Sequence, residues 1–201
     1  SDKRVGVIGI GATGIQVIQT IAPRVGHLKV FIRTPQYVNA MVNPTYSQAD
    51  IDAYKARFEE LRDTLPHTFS GFEYGQPAAW ADLTPAERRQ RLEDLWNHGS
   101  LKLWLGNGPE MFMDEAVSAE VSEFVREKMR ERLKDPELCD LLIPTDYGFG
   151  THRVPLEHNY LEVYHQPNVQ AVSVKDNPIV EVVPEGLKLA DGTVHELDYL
   201  I

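Results

Sequence analysis

The chain has 201 residues, 42% of them hydrophobic, and a formal net charge of −10 from 30 acidic against 20 basic residues. This is enough for one large domain, or one domain with an insertion, around a real core. The acidic balance argues against nucleic acid or an anionic membrane as the main partner. The single cysteine, Cys139, rules out an intrachain disulfide, and no run approaches the ~18 apolar residues of a membrane span.

The start of the chain reads KRVGVIGIGATGIQ. A short β-branched strand over 4–8 leads into Gly9, Gly11 and Gly14, spaced G-x-G-x-x-G, and a helix follows over 12–22 with Ile15, Val17, Ile18 and Ile21 as its apolar residues. In that context the motif is the dinucleotide-binding fingerprint. Gly9 permits a tight turn, Gly11 leaves room for a pyrophosphate, Gly14 lets helix and strand pack closely, and the helix N-terminus presents free N–H groups. The competing reading is a plain glycine-rich turn.

A second strand over 28–32 ends at Arg33, about where an NAD site places an acid for the ribose 2′-hydroxyl. Arg33 and Thr34 instead offer a guanidinium fork and a hydroxyl, which suit a 2′-phosphate and predict NADP over NAD. The alternative is a solvated arginine after a strand.

From about residue 43 the pattern becomes helical. Ser47 is an N-cap candidate, and Ile51, Tyr54, Phe58, Leu61 and Leu65 share one face. Thr84, Pro85 and Glu87 form a capping box with proline at the first helical position, opening a helix through Leu92, Leu95 and Trp96. Val117, Val121, Phe124, Val125, Met129 and Leu133 mark another, ended near Asp135-Pro136. The intervening stretch 99–113, apolar but broken by Gly106, Gly108 and Pro109, reads as a greasy loop. It either faces a substrate or neighbouring domain, or packs on its own helices.

The last third returns to strands: 141–143, then the loop PTDYGFGTHRVP, 169–174, a pair around the Asp191-Gly192 turn, and a closing strand over 198–201. The chain begins and ends almost flush with a strand and has no initiator methionine or signal peptide, so a segment of a longer, cytoplasmic protein is expected.

No tyrosine is followed four residues later by lysine, and no serine lies in a G-x-S-x-G elbow. His152, His158 and His165, with Glu157 and Glu162, make no recognisable metal set. What remains is a cofactor site without its chemistry.

In order and spacing, GIGATGIQ, VFIRTPQY, KDPELCDLLIPTDYGFGTHRVPLEHNYLEVYHQPNVQAV and DGTVHELDYLI resemble the flavin-dependent Baeyer-Villiger monooxygenases over nearly the whole chain. The resemblance implies an α/β fold: a Rossmann-like dinucleotide-binding domain of three layers, a parallel sheet plus a β-meander, with an α-helical insertion at about 43–138. In that family such an NADPH-binding domain is sandwiched between two halves of an FAD-binding domain, its partner in the same parent chain, and neither half is found here. The reaction implied is NADPH reduction of FAD, capture of O2 as a flavin C4a-peroxide, and conversion of a ketone to an ester or lactone.

By the same resemblance, Gly9, Ile10, Gly11, Ala12, Thr13, Gly14, Ile15 and Gln16 would hold the pyrophosphate. Arg33 and Thr34 would hold the 2′-phosphate, with Gln36 and His152 also in the cofactor site. Arg153 matches the family's catalytic arginine, whose permanent charge would stabilise developing anions beside the flavin; on the residues alone it is a loop arginine paired with a surface carboxylate. His152 stands where relatives of the cyclohexanone type usually carry lysine, making a phosphate contact there weaker or pH-dependent. Competing readings are an N- or S-oxygenating flavin monooxygenase and a non-catalytic NADP-binding sensor.

Overall fold

The computed structural model describes residues 2–75 and 77–201. The chain opens with β1 (Arg4–Ile8), α1 (Ala12–Ile21), β2 (His27–Ile32) and a two-residue β3 (Asn39–Ala40). Helices follow: α2 (Gln48–Ala56), α3 (Phe58–Thr64), α4 (Pro85–Asn97), α5 (Lys102–Leu105), α6 (Glu110–Met113), α7 (Glu115–Leu133) and α8 (Pro136–Leu142). The last third comprises β4 (Leu156–Glu157), β5 (Val169–Ser173), β6 (Ile179–Val183), β7 (Gly186–Leu189), β8 (Val194–Glu196) and β9 (Tyr199–Leu200).

The main sheet is parallel, ordered β5-β2-β1-β9, with Val5 opposite Leu28 and Val7 opposite Val30. Its order reverses beside β1, and in open α/β sheets the crevice at the strands' carboxyl ends at such a point is where ligands bind. Alternation along the strands sends Val5, Val7, Leu28, Val30 and Ile32 to one face, where they join Ile15 and Ile18 of α1 and the apolar residues of α7 in one core. The other face carries Phe31, packed with Leu187, Leu189 and Leu197 of the antiparallel β6-β7-β8 meander. A Cβ at Gly6 on that face would lie 2.5 Å from Leu197 Cδ1 and would push the Leu197 side chain aside. Helices, sheet and meander make the three expected layers.

Local signals explain most helix starts. Ser47 and Asp50 cap α2 reciprocally, as Thr84 and Glu87 cap α4 with Pro85 in its first turn. Asp114 opens α7 by accepting from the N–H groups of Ala116 and Val117 at 2.9 and 3.2 Å.

Three expectations are corrected. The apolar run 141–143 is not a strand: Asp135 caps a helix that begins at Pro136, and Leu142 is its buried last residue, only 1% exposed. The face of Ile51, Tyr54 and Phe58 does not turn inward. The helix breaks at Arg57, and these side chains are 39%, 63% and 62% exposed, leaving Leu61 as the stripe's buried member. The stretch 99–113 is not an open loop but contains α5 and α6, with Leu103 and Met111 buried and Phe112 and Met113 exposed. Its middle therefore packs on its own helices. The β3-β4 pair, Asn39 opposite Leu156, carried no signal in so short a run.

Arg4 joins the first strand to the last: its backbone N–H and guanidinium donate to the Asp198 carboxylate at 2.8 and 2.9 Å. These bonds hold the Asp198 pKa down to about 2. A depressed carboxylate stabilises the fold above its ordinary pKa and loses that contribution as pH falls toward 2. Asp198→Asn should therefore flatten the acid limb of the stability profile below about pH 4. Fluorescence-monitored urea unfolding at stepped pH would show this, and an unchanged acid limb would refute it.

Candidate functional site

The first part of the site is the turn between β1 and α1. Gly9 has φ of 88°, a left-handed conformation that favours glycine, and its N–H donates to the Phe31 carbonyl at 2.9 Å. Gly14 is held by close packing, because a Cβ there would lie 2.4 Å from the Gly9 carbonyl oxygen. At Gly11, the N-cap of α1, a Cβ would meet nothing within 4 Å, so the space over the helix end is open. No side chain caps this helix and no acid sits in its first turn. The uncapped N–H groups and positive dipole end suit an anion approaching through that space. Within this run Ile10 and Ile15 are buried, so they can offer a phosphate only backbone groups, whereas Thr13 and Gln16 are exposed.

The second part lies at the carboxyl end of β2. A groove of about 500 Å3 is lined by Ile8, Gly9, Arg33, Thr34, Pro178 and Ile179. Its walls are apolar, with Ile8 49% exposed, and its rim carries the guanidinium. Arg33 and Arg153 form no hydrogen bond or ion pair through their side chains with any described residue. Arg4, Arg57, Arg88, Arg89, Arg126, Arg130 and Arg132 are all engaged by carboxylates. In a chain so acidic, an unpaired arginine beside a groove is a cation available for a ligand. A larger concavity of about 670 Å3 lies at the opposite, amino ends of the strands, but Arg4 on its wall is already bound to Glu196 and Asp198.

The third part is the loop 144–155. One side of it rests on the helices. Arg126 Nε donates to the Pro144 carbonyl at 2.8 Å, the Phe149 N–H to Ser122 Oγ at 2.8 Å, and Trp104 Nε1 to the Gly150 carbonyl at 3.1 Å. The other side rests on the segment after β2, where the Tyr37 hydroxyl donates to the Tyr147 carbonyl at 3.1 Å. The Tyr147 hydroxyl lies 2.7 Å from the Pro35 carbonyl and 2.8 Å from Gln36 Oε1, and Gln36 Nε2 donates to the Arg153 carbonyl at 3.3 Å. Burial pushes the Tyr147 phenol up to about 12, keeping it a protonated donor. The exposed His152 ring packs against Tyr147 at 4.4 Å between centroids, the ring planes tilted by 42°.

Beyond the loop, Glu157 is fully buried and accepts from Arg132 at 2.6 and 3.2 Å and from the Tyr160 N–H at 2.6 Å. Arg132 also bonds both oxygens of Glu162 at 2.7 Å. Burial alone would lower the Arg132 pKa, but the hydrogen bonds it donates to Glu162 and Glu157, with their negative charges, raise it on balance.

The fold thus gathers Gly9 to Gln16, Arg33 and Thr34 at the carboxyl edge of the sheet, and ties His152 and Arg153 to that edge through Tyr147 and Gln36. Sequence reasoning missed Tyr147, Arg132 and Glu157. Carboxylates among the apolar residues of PLEHNYLEV were a hint of a buried pair. Among the described residues, no group of three or more His, Cys, Asp or Glu could hold a metal, and no helix is long and apolar enough to cross a membrane.

No protein-family model matches the chain. It is 69% identical to acetone monooxygenase (methyl acetate-forming) of Gordonia sp. strain TY-5 over 199 residues, covering 99% of this chain and 37% of that protein. It is 36% identical to 2-oxo-Δ3-4,5,5-trimethylcyclopentenylacetyl-CoA monooxygenase of Pseudomonas putida, covering 99% of this chain and 36% of that protein. A crystal structure of OTEMO in complex with FAD and NADP superposes with a TM-score of 0.94 at 36% identity, covering 100% of this chain and 37% of that one. The chain spans little more than a third of the length of these relatives.

Proposed function

We propose that this chain, homologous along its whole length to one segment of the Baeyer-Villiger monooxygenases, is the NADPH-binding domain of such an enzyme, with the helices from about 43–138 as an insertion. The observation that carries the reading is the glycine turn with the uncapped start of α1, beside which Arg33, its side chain unpaired among the described residues, lines the same groove. The parent enzyme would use NADPH, FAD and O2 to convert a ketone to an ester or lactone. Small acyclic ketones are the first to try, given the name of the 69% relative.

The residues present fit a dinucleotide. The open space over Gly11 and the uncapped start of α1 accept a pyrophosphate, and Arg33 with Thr34 accepts a 2′-phosphate at the groove's rim. Bound NADPH would supply the reducing hydride, and FAD, held by the remainder of the parent chain, the oxygen chemistry. This chain's own part is to bind, to orient, and to present Arg153. A guanidinium there could stabilise an anion developing beside it.

Arg33→Ala is expected to weaken NADPH by about 10- to 150-fold, the loss of one charge-assisted contact worth roughly 1.5–3 kcal/mol, and to leave NADH little changed. Calorimetric titration with both cofactors tests the reading. Equal losses would make Arg33 a structural residue, and a wild-type chain that binds neither cofactor would overturn the proposal.

A further inference from the structure

We propose that Tyr147 and Gln36 are positioning residues that tie the Arg153 loop to the Arg33–Thr34 stretch, so that the stretch facing the cofactor's phosphate end also sets the place of the arginine. The inference rests on the reading of the chain as an NADPH-binding domain and deepens it.

Gln36 lies three residues beyond Arg33, and both atoms of its amide are spent on protein. Nε2 donates to the Arg153 carbonyl at 3.3 Å, and Oε1 lies 2.8 Å from the Tyr147 hydroxyl. Its geometry is that of a strut between two segments far apart in sequence. Tyr147 completes the strut from the loop side. Its hydroxyl has one proton to share between the Pro35 carbonyl and Gln36, its own carbonyl accepts from Tyr37, and its ring packs edge-on against Tyr37 and beneath His152. Of the remaining anchors, those from α5 and α7 fix the loop to the helices, and the Tyr37 hydroxyl reaches the backbone carbonyls of Pro144 and Tyr147 at 3.4 and 3.1 Å, in the first part of the loop and short of Arg153. Tyr147 and Gln36 therefore carry the side-chain connection that reaches Arg153 itself, by which a ligand ordering residues 33–36 would also order the arginine. A phenol that stays protonated keeps that connection intact across the neutral range.

The test is hydrogen exchange with and without saturating NADPH on the wild-type chain, Tyr147→Phe, and Tyr147→Phe/Gln36→Met. Tyr147→Phe removes only the hydroxyl and keeps the ring packing; methionine keeps the length of Gln36 without its amide. In the wild type, NADPH is expected to slow exchange in three places: the α1 turn at 9–16, the 33–38 stretch and the loop at 145–154. In Tyr147→Phe, which leaves Gln36 in place, the first two should persist. Loop protection should fall about tenfold, the scale of one net hydrogen bond. A residue that merely supported the fold would lower protection everywhere, or nowhere, and would not separate the loop from the turn. Loop protection that survives in both variants overturns the inference, as does wild-type protection confined to 9–16 and 33–38. Absence of protection at 9–16 in the wild type is the different result that overturns the proposed function itself. Should the double variant lose protection in α7 without ligand, Tyr147→Phe alone is read by the same criteria.

Discussion

Replacing Arg132 with methionine should cost the chain about 3–5 kcal/mol of stability, the range for removing one partner of a buried ion pair. The cost comes from what is left behind. Glu157 is fully buried, and two of the hydrogen bonds to its carboxylate come from Arg132 at 2.6 and 3.2 Å. Without them one backbone N–H, that of Tyr160, faces a buried negative charge. Methionine fills much of the same space and so separates this effect from a cavity.

Two companion variants give the sign. Glu157→Gln should cost less, because Arg132 keeps Glu162 and the amide oxygen can still accept from Tyr160. Arg132→Met/Glu157→Leu should recover part of the loss, since a buried pair replaced by apolar groups avoids its desolvation penalty. Urea unfolding decides the matter: a single-variant loss below about 1 kcal/mol would mean that water reaches Glu157 and that the pair behaves as a surface contact. The pair matters for the site because Glu157 sits in β4, two residues beyond Pro155 at the end of the Arg153 loop, and β4 pairs with β3 after the Arg33 segment.

The parts of this molecule legible in the sequence are those whose physics is local. A strand followed by G-x-G-x-x-G and a helix specifies its own turn, because Gly9 and Gly14 are needed for reasons of φ and close approach within the motif itself. Capping boxes at Ser47 and Thr84 are similarly self-contained. The run 141–143 was misread because three apolar residues fit a buried helix end as well as a strand, and only the upstream Asp135 cap decides between them. The stripe through Ile51, Tyr54 and Phe58 misled for the opposite reason: periodicity fixes which residues share a face, but not what that face meets. Tyr147, Gln36 and Arg153 come together across 111 and 117 residues of sequence, and no spacing rule reaches that far.

In the full-length enzyme proposed above, Arg153→Ala should leave NADPH binding nearly intact and lower ester formation by at least about 100- to 1,000-fold, the scale of losing one preorganised electrostatic stabiliser. The separation follows from where the charge sits. The phosphate site proposed above consists of α1 and Arg33, which carry an uncapped helix end and a guanidinium unpaired among the described residues. The Arg153 guanidinium is exposed and forms no hydrogen bond or ion pair with any described residue, so its removal breaks no ion pair in the fold. What would be lost is a positive charge carried on a loop anchored at Pro144, Phe149 and Gly150. Arg153→Lys is the informative control. It keeps the charge but not the planar fork, so partial recovery would assign the effect to charge and no recovery to geometry. His152→Lys, beside it, should tighten NADPH modestly without changing the fraction of NADPH consumption that appears as ester. The measurement is product ester per NADPH consumed, alongside NADPH affinity by titration. An Arg153→Ala enzyme that makes ester at the wild-type rate, or one whose NADPH affinity falls as steeply as its turnover, would remove Arg153 from the chemistry and return it to the role of a surface or binding residue.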